Sequence, residues 1–149
     1  MKGEYQHTLD AKGRLFIPAK LREELGEGFV VTKGLDECLF LYPQHAWEQL
    51  EEKIRRLPMS KSRGLQRFFL SSAADVTVDK QGRMIVPSVL RSYAGLEHEV
   101  TIIGVGERAE IWDRQAWENY NSEMDAGSIA QALEELGFLG GGFVLKNGI

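Results

Sequence analysis

The chain has 149 residues, 43% of them apolar, and a formal net charge of −4. At that length roughly 68–70% of the unfolded surface is buried on folding, so one core needs neither disulfides nor a structural metal. No apolar run nears the ~18 residues of a membrane span, "MKGEYQHTLD" lacks a signal peptide's apolar segment, and the lone Cys38 forbids an intrachain disulfide; these features point to a cytoplasmic protein with no membrane partner.

In chain order, "EYQHTL" and "RLFI" predict strands on either side of a tight turn running from Asp10 to Gly13. Aspartate favours the first turn position because its carboxylate accepts backbone N–H bonds, and glycine three residues on suits a left-handed conformation. "PAKLREELG" predicts a short helix opened by Pro18 and stopped by Gly26. "FVVT" and "CLFLY" read as apolar strands, with Cys38 as a small buried hydrophobe. In "HAWEQLEEKIRRL", Trp47, Leu50, Ile54 and Leu57 share one face of a predicted helix. "LPMS" ends it, and "SRGLQRFFLSS" predicts another short helix with Leu65, Phe68 and Phe69 inward. The series then repeats. "DVTV" alternates with period two, a turn runs from Asp79 to Gly82, and "RMIV", "PSVLRSYAG", "VTIIGV" and "AEIW" follow, with a helix over "WDRQAWENY". "SIAQALEELGF" predicts a short acidic amphipathic helix, and "LGGGFVLKNGI" a flexible end to which no role is assigned.

The repetition can be aligned residue by residue. Asp10/Asp79, Gly13/Gly82, Arg14/Arg83, Pro18/Pro87, Leu21/Leu90, Arg22/Arg91 and Gly26/Gly95 keep one constant offset, and after a one-residue insertion Tyr42/Trp112, Ala46/Ala116, Trp47/Trp117 and Glu48/Glu118 keep another. Two copies are too few for a solenoid, and a unit of roughly 45 residues is close to the size at which a core of its own fails. The two units are therefore expected to complete each other around one shared core, in an α+β, mainly β, pseudo-twofold fold with flanking short helices. The first repeat is placed at residues 5–47 and the second at 76–119, with a helical linker at 48–75 and a helical or flexible tail at 120–149.

The charge is unevenly spread. Residues 97–135 hold ten Asp and Glu against Arg108 and Arg114, which leaves the rest of the chain basic on balance. Such asymmetry permits a basic face on an acidic protein. Asp10 with Arg14, and Asp79 with Arg83, flank the two turns, where a carboxylate can hold a guanidinium in a fixed direction. The bland reading is that each pair steadies its own hairpin, but exposed ion pairs add little stability. The functional reading is that Arg14 and Arg83, with Lys12 and Lys80 at the turns, are donors spaced for phosphates and base edges of double-stranded DNA. Asp10 and Asp79 orient the arginines, and Gly13 and Gly82 shape the turns.

The rival reading is a Mg-dependent phosphohydrolase using the paired Asp–Arg loops, but no third ligand or general base accompanies them. His7, His45 and His98 lack metal spacing, and no Ser/His/Asp or Cys/His set presents itself, so neither catalytic residue, metal, cofactor nor small-molecule substrate is expected. Trp47, Trp112 and Trp117 are expected in the core or at a subunit interface. The run Arg55, Arg56, Lys61, Arg63 and Arg67 reads as a solvated helix face with at most a secondary role on phosphates.

The opening "GEYQHTLDAKGR", the paired D-x-x-x-R motifs, "YPQHAWEQLEEKI" echoed by "WDRQAWENY", and the linker "LPMSKSRGLQRFFLSSA" together resemble the MraZ family of bacterial transcriptional regulators. The likeness covers residues 1–139 and extends, more distantly, to AbrB/SpoVT swapped-hairpin domains. It implies a double-split β-barrel of two AbrB-like halves in one chain and assembly into a homo-oligomeric ring. It further implies binding to short direct repeats in the promoter of the division and cell-wall gene cluster, repression of that cluster including the protein's own gene, and a cytoplasmic, nucleoid-associated location. The residues matching that family's proposed DNA contacts are Arg14 and Arg83.

Overall fold

A computed structural model of the chain describes residues 1–137. The glycine-rich end read above as flexible lies outside the described residues. Met1–Arg114 forms one compact unit, and a second begins at Gln115.

The first unit runs β1 (Glu4–Thr8), β2 (Arg14–Phe16), α1 (Ala19–Leu25), β3 (Gly28–Lys33), β4 (Leu39–Pro43) and α2 (Gln44–Arg55). Next come α3 (Met59–Leu65), a single π-helical turn (Gln66–Leu70), β5 (Ala74–Thr77), β6 (Arg83–Ile85), α4 (Ser88–Tyr93), β7 (Glu99–Gly104) and β8 (Ala109–Asp113). Pro18 and Pro87 stand just before α1 and α4 rather than inside them, with φ of −53° and −55° and extended ψ. Their fixed φ suits both the strand they leave and the helix they open. Gly26 and Gly95 follow the two helices at positive φ of 86° and 62°, which glycine adopts without steric cost.

The six-stranded sheet has the order β1-β7-β8-β4-β3-β5, which reads the same when the two repeats are exchanged. Each repeat gives its first strand to the other: β1 pairs with β7 through Tyr5↔Ile102, and β5 pairs with β3 through Phe29↔Val76. The strands β4 and β8 meet at the centre, with Leu39 opposite Ile111. A separate two-stranded ribbon joins β2 to β6. One apolar cluster takes in Leu15, Ile17, Leu21, Phe29 and Leu41 from the first repeat together with Met84, Val86, Leu90, Ile102 and Ile111 from the second. Fully burying such a side chain is worth about 1.5–3 kcal/mol, a gain that neither repeat obtains without the other. The expectation of a shared core therefore holds.

The sheet and the ribbon do not join into one closed barrel among the described residues: β1 and β5 are the outer strands of the sheet, β2 and β6 pair with each other, and β2 meets the chain just after β1 through an isolated bridge between Leu9 and Leu15. Other expectations need correction. On α2, Trp47 and Ile54 are buried as the helical period requires, but Leu57 is exposed because the helix has already ended at Arg55. The following helix starts at Met59, and the π turn carries Phe69 inward while Leu65 faces out. Trp47 and Trp112 are buried, whereas Trp117 is partly exposed.

The second unit contains most of α5 (Arg114–Ser122) and all of α6 (Ala126–Glu135). The latter begins two residues earlier than read from "SIAQALEELGF", because Asp125 caps it by accepting from the Gly127 N–H at 3.0 Å. No helix among the described residues is long and apolar enough to cross a membrane.

Candidate nucleic-acid interface

The two hairpins are built alike. Asp10 Oδ1 accepts from the backbone N–H of Lys12 at 3.0 Å and of Arg14 at 2.8 Å, while its Oδ2 accepts from Arg14 Nε at 2.7 Å. Asp79 repeats the arrangement with the N–H groups of Gln81 and Arg83 at 2.8 and 3.0 Å and with Arg83 Nε at 3.0 Å. Gly13 and Gly82 complete the turns at φ of 80° and 79°, where a Cβ-bearing residue is strained. The backbone N–H of its own arginine, more than any other neighbour, holds each carboxyl, Asp10 and Asp79, below the ordinary value of 3.8. Both acids are thus anionic anchors. Because each arginine is gripped at Nε, its two terminal nitrogens carry no hydrogen bond among the described residues.

The ribbon brings the two arginines together. In it Arg14 lies opposite Ile85, Leu15 opposite Met84, and Phe16 opposite Arg83. Residues facing each other across an antiparallel pair point to the same side. Leu15 and Met84 are fully buried, so the other four side chains form the outer face. Arg14 and Arg83 sit there as a diagonal pair, a spacing of about 7–8 Å in such ribbons. Their side chains are 32% and 30% accessible, so both reach solvent. Lys12 and Lys80 are exposed, each at its own turn.

Two residues of this surface are absent from the sequence reading of the site. The Ile17 N–H donates to Gly82 O at 2.9 Å and the Val86 N–H to Gly13 O at 2.8 Å, which locks each turn against the other repeat. Over those turns lie Arg91 and Arg22. A Cβ on Gly13 would collide with Arg91 Nη1, and one on Gly82 would lie 2.8 Å from Arg22 Cζ. Arg22 is held there by its Nε donating to Ile17 O at 2.8 Å and by the Phe16 ring 5.2 Å away. The signal was present, since Arg22 and Arg91 are repeat equivalents, but nothing local assigns them to the opposite hairpin.

Elsewhere, Arg55 and Arg56 are spread over an exposed helix face and both bind Glu52. No group of three His, Cys, Asp or Glu able to hold a metal ion occurs among the described residues.

The family model described as "MraZ protein, putative antitoxin-like" matches residues 1–68 and again 69–138. The chain belongs to the MraZ family. It is 56% identical over 136 residues to the transcriptional regulator MraZ of Heliobacterium modesticaldum, covering 90% of this chain and 94% of that one. It is 57% identical over 139 residues to the transcriptional regulator MraZ of Carboxydothermus hydrogenoformans, covering 92% and 97%. Against the transcriptional regulator MraZ of Acetivibrio thermocellus it is 54% identical over 139 residues, covering 91% and 97%. One match of the MraZ model falls on each half of the internal repeat. All three relatives are named for regulation of transcription.

Proposed function

We propose that this MraZ-family chain regulates transcription by binding double-stranded DNA through the β2–β6 ribbon. The observation that carries the reading is the outer face of that ribbon, where Arg14 and Arg83 stand side by side, each steadied at Nε by its own aspartate and open at its terminal nitrogens. A two-stranded ribbon fits the major groove, about 12 Å wide, and a guanidinium matches the O6/N7 edge of guanine or a phosphate fork. Lys12 and Lys80 flank the arginines toward the backbone, while Asp10 and Asp79 orient and do not touch the nucleic acid. We read the palindromic strand order as the open form of the family's double-split barrel, with repeats at 5–47 and 76–119.

A single acidic subunit binds a polyanion weakly. Assembly into a homo-oligomeric ring would let several ribbons engage short direct repeats in a promoter at once, raising avidity without new contacts. Repression of the division and cell-wall cluster, including the protein's own gene, in the nucleoid-associated cytoplasm completes the proposal. The test is a gel-shift titration on the duplex upstream of the chain's own coding sequence, at two salt concentrations. Arg14→Ala and Arg83→Ala should each weaken binding about 5- to 150-fold, the worth of one lost bidentate contact, and leave circular dichroism and sedimentation unchanged. Undiminished affinity in both variants overturns the proposal.

A further inference from the structure

Beside the arginines, the ribbon's outer face carries two large apolar side chains that the core does not claim. Phe16 and Ile85 occupy the same position in the two repeats, two residues beyond the arginine, and are 36% and 63% exposed. They are not equivalent. The Phe16 ring lies 5.2 Å from the His7 ring and 5.2 Å from the Arg22 guanidinium, and it is the less exposed of the two. Ile85 borders an open cleft of about 330 Å³ shared with Arg14, Thr77, Asp79, Arg83 and Pro87.

A bare isoleucine between two outward guanidinium groups calls for a partner that is anionic overall and apolar at one point. The major groove of DNA offers that combination, since its floor carries one methyl group, at C5 of thymine, among hydrogen-bonding edges and between rows of phosphates. A second copy of the chain seated here would have to strip water from Arg14 and Arg83 as well, at a cost that attraction between charges repays only in excellent geometry.

We propose that Ile85 is a specificity-determining residue that packs on a thymine C5-methyl beside the groups engaged by Arg14 and Arg83. Phe16, the less exposed of the pair and engaged by Arg22, does not make the matching contact. The arginines are identical across the internal repeat, whereas the apolar pair differs in residue type and exposure, and this difference gives the ribbon a direction along the duplex. The inference rests on the ribbon being the DNA-binding surface.

The test uses the full chain and a duplex selected by the wild-type protein from a random library. Each thymine is replaced in turn by 2′-deoxyuridine, which lacks only the methyl group. Wild-type binding should fall about fourfold at the contacted position, the worth of one buried methyl. Ile85→Ala, a change at an exposed site, should bind the thymine and uracil duplexes equally while still depending on Arg83. Indifference of the wild type to every replacement, or discrimination retained by Ile85→Ala, overturns the assignment. A changed sedimentation coefficient for Ile85→Ala with discrimination intact makes the face a contact between copies and also overturns it. The two readings fail separately: wild-type affinity in Arg14→Ala and Arg83→Ala defeats the ribbon itself, whereas weakened arginine variants with no methyl effect defeat only the role of Ile85.

Discussion

Replacing Gly82 by alanine tests how the two repeats lock. Gly82 has φ of 79°, and a Cβ there would lie 2.8 Å from Arg22 Cζ. Left-handed backbone costs an L-residue about 1–2 kcal/mol. The new methyl also displaces Arg22, ending its hydrogen bond to Ile17 O at 2.8 Å and its seat 5.2 Å from the Phe16 ring. At a half-exposed site those two contacts are together worth about 1–2 kcal/mol. Gly82→Ala should therefore lose about 2–4 kcal/mol. Gly95→Ala is the control, because Gly95 has φ of 62° but nothing within 4 Å of a built Cβ. It should lose only the backbone share, about 1–2 kcal/mol. Urea unfolding followed by tryptophan fluorescence measures both, and Gly82→Ala should lose roughly twice as much as the control. In the double variant Gly82→Ala/Arg22→Ala the second change should add little, since the first has already broken the same contacts. Equal losses at the two glycines would refute the interlock.

Asp79→Asn removes a negative charge beside the proposed polyanion, so charge alone predicts tighter DNA binding; loss of the grip on Arg83 predicts the reverse. Gel-shift titration should show binding about 2- to 12-fold weaker, the cost of ordering one long side chain anew, and tighter binding refutes the orienting role. The lowered folded values of Asp10 and Asp79 set a pH window. Their contribution is complete above the ordinary value of 3.8 and is lost as pH falls through the lower folded value, so the melting difference between wild type and Asp10→Asn/Asp79→Asn should be flat from about pH 5 upward and close only in acid. Closure near neutrality contradicts it. The Cys38 thiol is fully buried and pushed up, first by burial and then by the carboxylates of Glu110 and Asp36. A colorimetric thiol reagent at neutral pH should leave it unlabelled until urea is added, and prompt labelling of the folded chain would show the site to be open.

Features carried by neighbouring residues were legible. The Asp–Gly–Arg turns, the proline-led helices with their glycine stops, and the buried stripe of Trp47 and Ile54 each follow from contacts within a few positions along the chain. Misreadings arose where an element ended or changed its period. Leu57 lies past the end of α2, and the π turn after Leu65 rotates the face that a regular helix would have presented. Arg22 and Arg91 could be paired as equivalents, yet their place over the opposite turns depends on residues far away in the chain.

From its residues alone the chain determined the two hairpins, their equivalence, and the need for a common core, because turn chemistry and apolar spacing act over short stretches and a unit of about 45 residues buries too little by itself. The tertiary structure decided that β1 and β5 cross to the other repeat and that β2 pairs with β6. Only that pairing places Arg14, Arg83, Phe16 and Ile85 on one outward face. Strand partners are chosen by the fit of whole apolar faces and by register across distant segments, and a shift of one residue would turn all four side chains inward.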